Sequence, residues 1–185
     1  MSQYQIAVVV GSIRADSLNR KLALALAHLA PPEFTFEHVR IDTLPLYNQD
    51  LDGKQPAEVQ TFKGRIAAAQ VLLFATPEYN RSMPGVLKNA IDVGTRPSGS
   101  NSFAGKPAAV IGASPGARGT ALAQQHLRNV LAGIDVLAMP QPEVTVQFEE
   151  GLINAEGDIG NERTQKFLQR FVDAYSTWLI KTLAV

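Results

Sequence analysis

Three nearly unbroken apolar runs, Ile6–Val10, Val71–Ala75 and Lys106–Ala113, each give way at once to a short loop rich in polar residues or glycine. A run with no polar alternation reads as a strand covered on both faces, the condition of a central strand in a parallel sheet. Parallel strands need crossovers, and helical patterns lie between these runs. In a doubly wound sheet the loops that follow, Gly11–Asn19, Pro77–Gly85 and Ser114–Thr120, lie together beyond the carboxyl ends of the strands, where this architecture binds ligands.

The rest of the chain fits that frame. Leu18, Leu22, Ala25, Leu26 and Leu29 recur at helical spacing until Pro31-Pro32 stops them, and Phe34–Ile41 reads as a second strand. Residues Asp42–Pro56 form a long irregular connection, and such loops are often functional. Pro45, Leu46 and Tyr47 are candidates for a pocket wall; the alternative is a solvated crossover with Tyr47 packed inward. Helices are expected over Ala57–Ala69, Pro84–Val93 and Thr120–Gly133, with a fifth strand at Asp135–Ala138 and a short extension at Val144–Val146. An acidic loop, Glu149–Asn161, leads to a final helix over Glu162–Thr182 whose aromatic stripe reads as core or subunit contact.

The first loop, Gly11-Ser12-Ile13-Arg14-Ala15-Asp16-Ser17-Leu18-Asn19, gathers hydroxyls, a guanidinium, an amide and the free N–H groups of a helix start. That is a nest for an anion. It lacks the Gly-Lys-Ser/Thr ending of a P-loop and two of the three glycines of the dinucleotide fingerprint, which favours a monophosphate over a pyrophosphate. The competing reading has Ser17 capping a helix and Ser12 and Arg14 in an ordinary turn. Asp16 puts a negative charge into the same loop and is expected to point outward.

The second loop is dense in polar groups and can present backbone edges to a flat heterocycle, with Tyr79 offering a face or a hydroxyl. Ser82 or Asn80 capping the next helix is the local alternative. The third loop carries two glycines that let backbone approach a ligand, and its N–H groups can stabilise negative charge on a reduced ring. A tight turn with positive φ at Gly116 and a helix cap at Thr120 accounts for part of it.

Composition narrows the functions. At 185 residues the chain fits one domain, and 17 basic against 17 acidic residues leave no basic footprint for nucleic acid. With no cysteine there are no disulfides, thiolate metal sites or cysteine nucleophiles, so redox chemistry belongs to a bound cofactor. His28, His38 and His126 fall in separate elements and read as surface or interface residues, not metal ligands. The amino terminus runs into a strand without a leader-like segment and no apolar run has the length of a membrane span, which points to a cytoplasmic protein with no membrane partner.

Taken together, Gly11-Ser12-x-Arg14-x-x-Ser17-x-Asn19, Pro77-Glu78-Tyr79-Asn80-x-Ser82-x-Pro84-Gly85-x-Leu87-Lys88-Asn89-Ala90-Ile91-Asp92 and Gly112-Ala113-Ser114-Pro115-Gly116 resemble the signatures of the NADPH-dependent FMN reductase family. Within it the chain is most similar to the bacterial quinone and chromate reductase branch, from Ile6 to the last helix. The resemblance implies a flavodoxin-like α/β domain over residues 1–185, with a doubly wound five-stranded parallel sheet of order 2-1-3-4-5 and helices on both faces. It implies FMN as cofactor, NADPH or NADH as electron donor, and quinones, azo compounds, chromate or free flavin as acceptors, in a homodimer or homotetramer.

By the same resemblance Ser12, Arg14, Ser17, Leu18 and Asn19 hold the FMN phosphate. Pro77, Glu78, Tyr79 and Asn80 line the isoalloxazine, and Ser114, Pro115 and Gly116 close its other edge. Glu78 and Tyr79 are placed either to touch ring or substrate or to serve as a surface carboxylate and a packing tyrosine. No residue is singled out as catalytic, because the flavin carries the chemistry. The chain departs from its relatives at Val93-Gly94-Thr95, so contacts made there are not transferred. The rival reading is a flavodoxin-type electron carrier, whose usual strong acidity this neutral chain lacks. A phosphoester hydrolase finds no support, since neither a cysteine nor a metal-spaced cluster is present.

Overall fold

In the computed structural model, which describes residues 4–184, the three apolar runs are the adjacent inner strands of one parallel sheet. They are β1 (Tyr4–Val10), β3 (Val71–Ala75) and β4 (Pro107–Ser114), with β2 (Phe34–His38) outside β1. The fifth position is shared by β5 (Leu137–Ala138) and β6 (Val144–Gln147), giving the order 2-1-3-4-5. Register runs Val8↔Leu73 and Leu73↔Ala109, so the carboxyl ends of the inner strands reach the same level.

Alternation sends both sets of side chains into apolar surroundings. Ile6, Val8, Val10, Leu73 and Ile111 face α1 (Leu18–Leu29) and α5 (Glu162–Leu183). Ala7, Val9, Leu72, Phe74 and Val110 face α2 (Ala57–Ala68), α3 (Gly85–Thr95) and α4 (Ala121–Gly133). Burial on both faces is why these strands read as continuous apolar runs. The aromatic stripe of α5 is core, with Leu168, Phe171, Val172, Tyr175 and Leu179 buried. The Tyr175 hydroxyl donates to the Leu72 carbonyl at 3.0 Å, and burial pushes its ionisation well above the ordinary tyrosine range.

The departures from expectation are local. Strand two ends at His38, although the Val39 N–H still donates to Val8. The expected strand Asp135–Ala138 shrinks to Leu137–Ala138 because Asp135 takes a left-handed turn conformation. The edge resumes only at Val144, past Pro140 and Pro142, which have no N–H for the ladder. His38 is half-buried rather than an ordinary surface residue, with its Nε2 buried and unpartnered, and burial together with the Arg20 charge lowers its pKa. The departure at Gly94 has a packing reason: a Cβ there would run into the buried Phe103 ring.

Gly112, on β4, sits where a methyl group would overlap both Thr120 Oγ1 and the Thr76 carbonyl. Backbone cannot yield as a flexible side-chain tip does, so Gly112→Ala should cost about 3 kcal/mol, the upper part of the overpacking range. A fall in the denaturant midpoint at unchanged m-value checks this; an unchanged midpoint would show that β4 and α4 can separate freely.

Candidate active site

The first loop leaves β1 and enters α1, whose N-cap Ser17 accepts from the Arg20 N–H at 3.2 Å through Oγ. Capping is therefore real, yet it satisfies only part of the loop. Among the described residues, the amides of Ser12, Ile13, Ala15, Asp16, Leu18 and Asn19 meet no acceptor. A run of free N–H groups at the positive end of a helix is the arrangement that fits a phosphate. Asp16 lies outside it, exposed and bound to Lys21 at 2.6 Å, and Lys21 with Arg14 behind it holds the carboxyl below the ordinary aspartate range. Arg14 is exposed and only 3.8 Å from Asp16, free to swing over the nest.

Asn19 does something the motif did not disclose. Its buried side chain donates to the Ala113 carbonyl and accepts from the Ala113 N–H, both at 2.9 Å, spanning β3 to reach the end of β4. Both ends of the amide are thereby committed to the scaffold, and only the backbone N–H of Asn19 is left free.

The second loop begins on the buried Thr76, whose N–H donates to Ile111, and closes as a two-residue turn. Tyr79 and Ser82 exchange N–H···O bonds of 2.9 and 3.0 Å, with Asn80 and Arg81 both at positive φ. This turn replaces the expected capping by Asn80 or Ser82: the N-cap of α3 is Pro84, and no side chain caps the helix. Glu78 is turned the other way. Its Oε2 accepts from the Leu122 and Ala123 N–H groups at 3.0 Å each, so this carboxylate caps α4 from outside the helix. Ser82 Oγ meets His126 Nδ1 at 3.1 Å, a second link to α4. What Glu78 leaves for a ligand is backbone, whereas the Tyr79 ring is 56% exposed.

In the third loop, Ser114 Oγ accepts from the Gly116 N–H at 3.2 Å, and Pro115 and Gly116 are exposed. The positive φ falls at Gly119, not Gly116, because Gly119 packs against the backbone of Thr145 and Val146. Thr120 occupies the cap position without capping; its hydroxyl accepts from Gln124 Nε2 at 3.0 Å. Behind these loops, Asn89 donates to the Pro45 carbonyl at 2.9 Å and accepts from the Tyr47 N–H at 2.8 Å. Tyr47 packs inward while Leu46, between the two clamped residues, stands 82% exposed.

The structure thus brings the three loops together and binds them to one another. Asn19 ties the first to the strand that leads into the third, and Glu78 and Ser82 tie the second to the helix that follows the third. Three loops at the carboxyl end of a parallel sheet of order 2-1-3-4-5, with helices on both faces, are the layout of a flavodoxin-like protein. The chain belongs to the NADPH-dependent FMN reductase family, whose model matches residues 4–151. It is a flavin-dependent oxidoreductase that uses FMN and a reduced nicotinamide.

A 2-hydroxy-1,4-benzoquinone reductase from Burkholderia sp. is 54% identical over 95% of this chain and 96% of its own length. A quinone reductase from Pseudomonas putida is 46% identical over the whole of both chains. Among solved structures, the flavoenzyme NAD(P)H:(acceptor) oxidoreductase FerB from Paracoccus denitrificans superposes with a TM-score of 0.92 at 48% identity, covering 97% of this chain and 98% of its own.

Asn19→Ala should orphan an N–H and a C=O of β4 and cost about 3 kcal/mol of stability, from two buried unsatisfied groups. Arg14→Ala, in an exposed position, should stay within about 0.5 kcal/mol of wild type. Chemical denaturation of the two variants side by side checks the contrast.

Proposed function

We propose that this protein is a quinone reductase. FMN is held by its phosphate in the first loop and by its ring against the second and third, and the acceptor is reduced over the exposed ring face. The observation that carries this reading is the cluster of free amides between Ser12 and Asn19 at the start of α1, Arg14 and Ser17 excepted, at the same sheet end as the exposed Tyr79. When bound, FMN supplies the redox chemistry, taking electrons from NAD(P)H and passing them on two at a time.

The chain's own residues bind and orient. Ser12, Ser17 and Arg14, with the amides of Leu18 and Asn19, neutralise the phosphate; Pro77–Asn80 and Ser114–Gly116 offer backbone edges to the ring. Linking Glu78 and Ser82 to α4 removes independent motion of the two ring-lining loops, so the ring meets a preorganised surface. No side chain is assigned a proton-transfer role.

The relatives' names support a quinone acceptor, and the neutral charge balance supports an enzyme over an acidic electron carrier. The single domain is proposed to work in the cytoplasm as a homo-oligomer, since Ile13, Leu46 and Tyr79 are large, apolar and exposed on loops at the sheet's carboxyl end. Sedimentation of the holoprotein as a dimer or larger would support that assembly; a monomer at all practical concentrations would exclude it.

The purified protein should be yellow and release FMN, not FAD, on denaturation. Arg14→Ala should weaken FMN by about 1.5–3 kcal/mol, the range for hydrogen bonds to charged groups, measured by fluorescence titration of the apoprotein. Because one open ring face serves donor and acceptor in turn, steady-state plots with NAD(P)H and a benzoquinone should be parallel, with each substrate inhibiting against the other. Intersecting lines would require two separate binding places.

A further inference from the structure

The turn between Tyr79 and Ser82 holds Arg81 at φ 66°, directly after Asn80 at φ 51°. Two successive positive φ values make the turn whose second central position ordinarily belongs to glycine. Asparagine tolerates this conformation; arginine does not gain from it. A side chain kept in an unfavourable backbone region marks a place where that side chain is needed.

Arg81 is exposed and has no carboxylate partner among the described residues. The acid nearest in sequence, Glu78, is turned into the start of α4. Arg118, exposed on the third loop, is likewise without an acidic partner, and its carbonyl accepts from Ala121 at the start of α4. Of the other cations at this end, Lys21 is paired with Asp16 and Lys88 with Asp92 at 2.8 Å, while Arg20, at the start of α1, has no acidic partner among the described residues. Because Glu78 contacts Leu122 and Ala123, and Ser82 contacts His126, Arg81 is pinned along the same end of α4 that Arg118 leads into. Both arginines therefore belong to loops that meet the amino-terminal part of α4, exposed and without an acidic partner among the described residues.

We propose that Arg81 and Arg118 together bind the 2′-phosphate of NADPH and so set the preference for NADPH over NADH. A phosphate monoester is a compact dianion with three acceptor oxygens, which suits two guanidinium forks better than one. Unpaired cations also raise the encounter rate of an anionic donor. This rests on the reading that the flavin ring lies against the second and third loops.

The test compares wild type, Arg81→Gly, Arg81→Lys, Arg118→Gln and the Arg81→Gly/Arg118→Gln pair as holoenzymes. The measurements are anaerobic flavin reduction by NADPH and by NADH, and inhibition by 2′,5′-ADP, 5′-AMP and inorganic phosphate. In the double variant the KM for NADPH should rise at least tenfold and that for NADH less than threefold, with inhibition by 2′,5′-ADP lost. Arg81→Lys should keep part of the preference. Arg81→Gly should have a Tm at or above wild type, which separates recognition from folding. Equal changes for both nucleotides, or an unchanged NADPH KM, would overturn the proposal. So would inorganic phosphate competing as well as 2′,5′-ADP, which would mean an unspecific anion site. Loss of flavin from the double variant would assign the arginines to FMN instead, whereas a wild type that never holds FMN would bring down the underlying site reading.

Discussion

Double-sided burial of β1, β3 and β4 is the constraint on which the rest of this structure depends. A strand with apolar matter on both faces has no water for its backbone, so each N–H and C=O must be met within the ladder. The ladder holds to the strands' ends: Gly11 donates to Ala75, and Thr76 donates to Ile111. Where the strands stop, the chain emerges from three places at one level. The loops are neighbours because the sheet that carries them has no slack.

Side chains then turn neighbouring loops into one body. Asn19 reaches over β3 to Ala113, Glu78 closes the amino end of α4, and Gln124 is held between Thr120 and the Val144 carbonyl, which it meets at 2.7 Å. Each of these groups is polar, buried or half-buried, and spent on backbone. The first loop is left with N–H groups that have no internal use, while Asn19 and Glu78 have their side chains committed to the scaffold. Binding surface and scaffold are thus divided between backbone and side chain at the same residues.

Much of this was legible in the sequence. Unbroken apolar runs gave away the inner strands, and the loop motifs pointed to the family. The details that escaped share one cause. Asn19 and Glu78 look like ligand groups because they are polar and stand in motifs, but their partners lie 94 and 44–45 residues away, and spacing carries no record of such contacts. Asp135, Asn80 and Arg81 take left-handed conformations without a glycine to signal them. The fifth strand lies inside its expected span but keeps only Leu137–Ala138, since so short a ladder at a sheet edge has too little pattern to fix its bounds.

The broken edge formed by β5 and β6 has a consequence for how copies of this chain can meet. An edge strand with a long row of open N–H and C=O groups invites another sheet to extend it, the first step of aggregation. Here Pro140 and Pro142 interrupt that row, and the segments on either side are two and four residues long. The opposite edge, β2, is five residues long and carries Glu37 and His38 at its end. Both margins are thus poor templates for continuous edge-to-edge pairing, and the folded molecule carries its own protection against sheet extension in its proline-broken border.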